Sequence, residues 1–292
     1  MTEEELTGGS GTPRRRMPPW LKIKVPLGAS YSRVNGVLRQ HALNTVCEDA
    51  RCPNVNECWN RGTATFMILG DTCTRSCGFC AVKTGRPAPP DLDEPRRVAE
   101  AVRELGLKHA VVTSVNRDEL PDGGASAFAE TIRLIRETSP VCTVEVLIPD
   151  FQGKEEQLRL VIDARPDVRN HNVETVPRLY PKVRPQARYE RSLNVLSCAR
   201  EAGLVSKTGF MAGLGETDDE IILMLKDLRR IGVDMVTIGQ YLQPTRMHAP
   251  VARYVTPSEF EIWKTIGLEL GFKRVESGPL VRSSYHAETL TS

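Results

Sequence analysis

Six of the eight cysteines in this 292-residue chain fall within 34 residues, as Cys47-x4-Cys52-x5-Cys58 and Cys73-x3-Cys77-x2-Cys80, while Cys142 and Cys198 stand alone. This density is well below that of a disulfide scaffold, and a cytoplasmic chain keeps its thiols reduced, so clustered cysteines point to metal. Zinc sites typically use paired C-x-x-C units with four ligands in all. Each group here supplies three. A cubane iron–sulfur cluster needs about four ligands, usually thiolates on short loops. Three thiolates leave one iron open, and the amino and carboxylate groups of an amino acid can chelate it. Cys142 and Cys198 each lie inside an apolar element and read as inert buried thiols.

The remaining composition narrows the function classes. Hydrophobic residues at 40% and charged residues at 26% are ordinary for a globular protein. Lys plus Arg number 39 against 37 for Asp plus Glu, too even for a dedicated nucleic-acid binder, so no nucleic-acid partner is expected. No apolar run reaches the roughly 18 residues of a spanning helix, so no membrane is expected either. The start, Met1-Thr-Glu-Glu-Glu, lacks the pattern of a secretory signal, and a cytoplasmic location is the expectation.

The chain alternates strand and helix. Residues 1–19, with Gly8, Gly9, Gly11, Pro18 and Pro19 and three arginines at 14–16, read as a flexible arm. Residues 20–63 form an N-terminal extension carrying the first cysteine group. Expected strands are 64–69, 109–113, 142–148, 168–173, 206–212 and 234–239, with expected helices at 93–107, 125–137, 154–164, 189–202 and 218–231. Regular alternation favours a parallel sheet with helices outside. Six such strands over 64–255 predict an α/β fold of partial (β/α)6 TIM-barrel type, its active site at the strand C-terminal ends. An open doubly wound sheet is the alternative. Residues 256–292 are expected as a C-terminal extension.

The second cysteine group follows the first predicted strand directly, where a loop at the barrel mouth lies. Cys73-Thr-Arg-Ser-Cys-Gly-Phe-Cys80 resembles the signature of radical S-adenosylmethionine (SAM) enzymes, the aromatic at Phe79 included. The first group, in Thr45-Val-Cys-Glu-Asp-Ala-Arg-Cys-Pro-Asn-Val-Asn-Glu-Cys-Trp59, and the C-terminal Arg282-Ser-Ser-Tyr-His-Ala287 together make the chain similar to lipoyl synthases. The similarity extends through Val112-Thr-Ser-Val-Asn-Arg-Asp-Glu-Leu-Pro-Asp-Gly-Gly124, Lys207-Thr-Gly-Phe-Met-Ala-Gly-Leu-Gly-Glu216 and Gly239-Gln-Tyr-Leu-Gln-Pro-Thr245.

That resemblance implies a sulfurtransferase that inserts two sulfur atoms, at carbons 6 and 8, into an octanoyl chain linked to a lysine of a carrier domain. The implied cofactors are two [4Fe-4S] clusters and SAM. Cys73, Cys77 and Cys80 are implied to hold the cluster that binds SAM. Cys47, Cys52 and Cys58 are implied to hold an auxiliary, sulfur-donating cluster, with a serine of the Arg-Ser-Ser-Tyr run, taken as Ser283 over Ser284, as fourth ligand. The implied partners are the lipoyl carrier domains of 2-oxoacid dehydrogenase E2 subunits and of the glycine cleavage H protein, and an electron donor such as ferredoxin or flavodoxin. Two rivals stand beside this reading: a two-cluster electron-transfer protein, and another radical sulfur-insertion enzyme.

Further candidates rest on position. Gly209-x3-Gly213-x2-Glu216 resembles the superfamily's glycine segment near the adenosyl moiety, or is a strand-to-helix turn. Gly123 and Gly124 could present backbone amides to the methionine end, or simply turn the chain. Thr113 and Ser114 end the second strand, and His171, Asn172 and Glu174 end the fourth. The basic run Arg178, Lys182, Arg184, Arg188 and Arg191 is either a solvated face or a docking surface for an acidic carrier.

Overall fold

The structure, a computed structural model, describes residues 16–22, 29–49, 52, 54–61, 63–285 and 287. The first 15 residues of the expected arm lie outside them. Ten strands occur among the described residues: β1 (Asn44–Thr45), β2 (Thr63–Ile68), β3 (Thr72–Cys73), β4 (Lys83–Thr84), β5 (His109–Ser114), β6 (Thr143–Leu147), β7 (Val168–Asn170), β8 (Val205–Ala212), β9 (Met235–Gln240) and β10 (Arg274–Gly278). The main sheet runs β1-β2-β5-β6-β7-β8-β9-β10, with β3 and β4 paired separately. Only β1 is antiparallel to its neighbour; β2 through β10 pair in parallel.

Every residue of β2 and of β9 is buried. Such continuous burial marks parallel strands covered on both faces. One cover is the helical layer. Its early members are α1 (Ala29–Gln40), α2 (Val46–Asp49), α3 (Val55–Asn60), α4 (Glu94–Leu105) and α5 (Ala125–Thr138). Later come α6 (Glu155–Asp163), α7 (Tyr180–Val183), α8 (Tyr189–Glu201), α9 (Asp218–Arg230) and α10 (Pro257–Glu269). Local signals set their ends. Gly106, left-handed at φ 65°, stops α4. Reciprocal capping boxes open α9 (Thr217 with Glu220) and α10 (Thr256 with Glu259).

The partial barrel of six βα strands is present, and the C-terminal extension adds a seventh parallel strand. β10 pairs with β9 from Arg274 opposite Met235 to Gly278 opposite Gly239. Among the described residues it meets no strand on its far side, and β1 occupies the other edge, so the barrel is open there. The fourth strand is shorter than the expected 168–173: β7 stops at Asn170, and Glu174 is left-handed at φ 65°. A non-glycine residue at that φ interrupts a strand, and the chain keeps only an isolated bridge from Glu174 to Phe210.

Below the mouth the barrel interior is charged. Lys207 Nζ lies 2.9 Å from both carboxylate oxygens of fully buried Glu145, which also accepts from Asn170 at 2.8 Å. The side chains beneath the site are thus locked by a desolvated, fully bonded ion pair.

Candidate active site

The loop from Cys73 to Cys80 is held from three sides. Cys73 Sγ accepts from the backbone amides of Arg75 at 3.4 Å and Asn116 at 3.3 Å. Arg75, 5% exposed, donates from Nε and Nη2 to both carboxylate oxygens of Asp118 at 2.6 and 2.8 Å. Its Nη2 also reaches Asp150 at 2.7 Å, and Arg191 bonds the other oxygen of Asp150 at 3.1 Å. A bidentate guanidinium therefore ties the thiol loop to the segments that follow β5 and β6. Burial opposes ionisation of Asp150, yet bonding to Arg75 holds its carboxyl well below the usual range.

The far half of the loop leans on two other segments. Gly78 N donates to Val183 O at 2.9 Å, and Ala249 N donates to Gly78 O at 2.7 Å. A side chain at Gly78 would press on Lys182 O, which is what glycine avoids there. His248 Nε2 donates to Cys80 O at 2.8 Å, and its Nδ1 accepts from the Thr245 hydroxyl at 2.8 Å. Burial raises the Cys77 thiol and pushes Cys80 up to about 12. Buried thiols of this kind lose their protons to a metal rather than to water.

The three thiols open onto a cavity of about 340 Å³ at the strand C-terminal ends. Phe79, Thr113, Ser114, Asn172 and Glu174 line it as expected from the sequence, and so do Ser283 and Ser284. Thr113 spends its hydroxyl on Leu147 O at 2.9 Å. Ser114 Oγ, Asn172 Oδ1 and Arg184 Nε are buried without a partner among the described residues. Orphaned buried polar atoms around a cavity call for a polar ligand. Met67, Val115, Leu147, Ile148, Met211 and Leu242 give the wall an apolar character as well. Glu174 has its carboxyl raised by burial, countered in part by Arg184. His171 donates from Nδ1 to Ile148 O at 2.9 Å and accepts from Ser192 at 3.0 Å, and burial drops it to about 4, so it is neutral.

The first cysteine group sits in the extension: Cys47 on α2, Cys58 on α3, and Cys52 between them. Cys52 N donates to Cys47 O at 2.9 Å. Burial first, and Cys47 second, push the Cys52 thiol up to about 11. None of the three lines the cavity, although Val46 and Arg282, beside them, do. The C-terminal tail reaches this group. Asn54 Nδ2 donates to Leu280 O at 2.6 Å and the Tyr285 hydroxyl donates to Glu57 at 3.1 Å.

Among the described residues, no three Cys, His, Asp or Glu side chains converge closely enough for a single metal ion. A cubane binds its thiolates corner by corner, farther apart than the ligands of one ion. Two sets of three thiols, spread over short segments, fit clusters better than single ions.

Several sequence candidates lie elsewhere. Gly123 and Gly124 take φ of 61° and 89° in the turn before α5 and pack against Phe151 and Leu69. Neither lines the cavity. Gly209 gives room to Thr237 and Asn172 inside the barrel. Glu216 folds back on its own segment, accepting from Gly213 N at 2.5 Å and Leu214 N at 2.9 Å, and Gly213 gives room to Gln240. These residues build turns and packing rather than the cavity wall. The basic run also divides. Arg184 is 9% exposed and lines the cavity, Arg178 pairs with Glu220 and Arg191 with Asp150; Lys182 and Arg188 remain exposed. Arg75, Asp150, His248 and Arg282 went unread in the sequence. Two of them carried a signal, Arg75 by its place between two cysteines and Arg282 by heading the Arg-Ser-Ser-Tyr run.

A parallel partial barrel with a three-thiol loop after its first full strand defines the radical SAM class. The family described as "Radical SAM superfamily" matches residues 67–228. The "N-terminal domain of lipoyl synthase" of that family matches residues 2–52. A lipoyl synthase of Rubrobacter xylanophilus is 63% identical over 280 residues, 95% of this chain and 87% of that protein. One of Koribacter versatilis is 59% identical, over 92% of this chain and 90% of that protein. The chain belongs to the lipoyl synthase family. Its fold is shared with methylornithine synthase (TM-score 0.54, 14% identity, 83% of this chain and 77% of the other). Streptococcus suis SuiB bound to its precursor peptide shares it too (TM-score 0.58, 11% identity, 88% and 56%).

Proposed function

We propose that this chain is a lipoyl synthase that inserts two sulfur atoms, at carbons 6 and 8, into an octanoyl chain carried on a protein lysine. The observation that carries this reading is the meeting of both ends of the chain at one barrel mouth. Cys73, Cys77 and Cys80 open onto the same cavity as Ser283 and Ser284, and the serine tail is bonded to the extension that bears Cys47, Cys52 and Cys58.

Cys73, Cys77 and Cys80 would hold a cluster that, when bound, would supply one-electron reductive cleavage of SAM. The protein's own part is placement. Arg75 fixes the thiol loop, while Ser114, Asn172 and Arg184 offer unspent polar atoms to SAM. The apolar wall around Met67, Leu147 and Met211 suits an octanoyl chain and keeps water from a radical. Cys47, Cys52, Cys58 and Ser283 are assigned to the sulfur-donating cluster. Carrier domains and a low-potential protein reductant are the partners this reading requires.

Reconstituted protein, incubated without oxygen with SAM, reductant and an octanoyl-lysine peptide, is expected to return peptide carrying two added sulfur atoms by mass spectrometry. Cleavage of SAM with an unchanged peptide would refute the substrate. Ser283→Ala is expected to lower both the auxiliary iron content and the lipoyl yield. Ser284→Ala is expected to retain more of each, and the reverse order would move the assignment one residue along.

A further inference from the structure

We infer that Arg282 is the counter-ion of the N-terminal thiol site, its guanidinium facing the anionic cluster assigned to Cys47, Cys52 and Cys58. The inference rests on the reading of those cysteines as a cluster site.

The tail carries Arg282 to its place along a fixed path. After β10 ends at Gly278 the chain crosses β9 at Gly239, where any Cβ would collide with the Val281 carbonyl and approach Arg282 Nη1 at 3.2 Å. On one side of Arg282 the tail is pinned by Asn54 to Leu280 O, on the other by Tyr285 to Glu57. Both pins come from the cysteine-bearing extension, 226 and 228 residues away in sequence.

Three guanidiniums line the cavity, and their partners differ. Arg75 is neutralised by Asp118 and Asp150. Arg184 donates to Asn172 O at 2.8 Å and faces the carboxyl of Glu174. Arg282 donates only to its own neighbour, Val281 O, at 2.7 Å, and among the described residues no carboxylate pairs with it. The tail bonds on either side of Arg282, to Asn54 and Glu57, lay it along the segment that carries Cys52 and Cys58. Arg282 is half-buried, and a guanidinium partly withdrawn from water without a counter-charge has donors left to satisfy. It therefore marks where an anion belongs, and a cluster held by three thiolates and an alkoxide is one. Guanidinium N–H groups bond strongly to such acceptors, and a nearby cation raises a cluster's reduction potential. SAM's carboxylate is the other anion on hand, but Arg184, adjacent to Cys77, lies on its side of the cavity.

The test uses full-length protein carrying Cys73→Ala, Cys77→Ala and Cys80→Ala, so that only the N-terminal site holds iron. Arg282→Met and Arg282→Lys are added, and two quantities are read after reconstitution: the rate of iron loss to a chelator and the cluster's midpoint potential. Arg282→Met is expected to lose iron several-fold faster and to have a lower potential, with Arg282→Lys between it and the parent. Parental values for both variants overturn the inference while leaving the cluster site standing. A parent that takes up no iron overturns the site itself. Unchanged iron retention with weakened SAM binding, measured in the same Arg282→Met change made on the two-cluster protein, would reassign Arg282 to the SAM carboxylate and overturn the inference.

Discussion

Single side chains at this site act through bonds that fix other groups. Arg75 is the clearest case, because one buried guanidinium holds Asp118 and Asp150 together beneath the thiol loop. Breaking a buried, hydrogen-bonded pair costs about 3–5 kcal/mol, and the partial exposure of Asp118 places this network near the lower end. Arg75→Met should lower the denaturation free energy of the metal-free protein by about 3 kcal/mol. It should also slow SAM cleavage. Arg75→Lys keeps a charge but not the two-pronged geometry, and should fall between. Denaturant titration checks the first effect and deoxyadenosine release the second; a Met variant matching the parent in both would remove the anchor. The grouping of the six cysteines was legible in the sequence, since cysteine spacing is a local property. The anchors were not, because Asp150 and His248 meet the loop across 75 and 168 residues and nothing local marks them.

At the level of elements, strand and helix order was legible wherever an apolar run lay between turn residues, as with β2, β5 and α4. The seventh strand escaped because Arg274–Gly278, Arg-Val-Glu-Ser-Gly, has a single buried residue and reads as surface. Its helix had left a sign in Thr256-Pro-Ser-Glu259, a capping box with proline at the first helical position. β7 erred the other way: the expected strand ran to Val173, but the ladder stops at Asn170 and the chain turns left-handed at Glu174. That early exit leaves Asn172 and Glu174 at the cavity. The glycine segment 209–216 read equally well as ligand site or turn, and the carboxylate of Glu216 on two backbone amides of the same segment favours the turn. The crossing of the tail over β9 gives a prediction of its own. Gly239→Ala should dislodge Val281 and Arg282, leaving a folded barrel with the iron of one cluster instead of two. Iron analysis beside a thermal melt checks it, and full iron content in that variant would show that the tail has another route.

On the scale of the whole molecule, the barrel is charged below and opens above to Cys73, Cys77 and Cys80, with the first thiol group in the extension beside the cavity. Lys207 holds the Glu145 carboxyl at about 2, against an ordinary 4.5, despite the burial that opposes it. A carboxyl lowered by folding stabilises the native state fully above its unfolded value and ceases to do so as pH falls through its folded value. The pair should therefore support the fold above pH 4.5 and fail as pH drops toward about 2, and Glu145→Gln should flatten that part of the acid-unfolding curve. Circular dichroism against pH reads it, and an unchanged slope would deny the pair a role. Above this base the two thiol groups are proposed to divide the chemistry, one generating a radical and the other giving up sulfur. Replacing Cys47, Cys52 and Cys58 together with alanine tests it most directly, by following SAM cleavage and octanoyl-peptide mass in the same anaerobic reaction. The account predicts continued release of deoxyadenosine and methionine with no sulfur in the peptide; lipoyl product from that protein would contradict it.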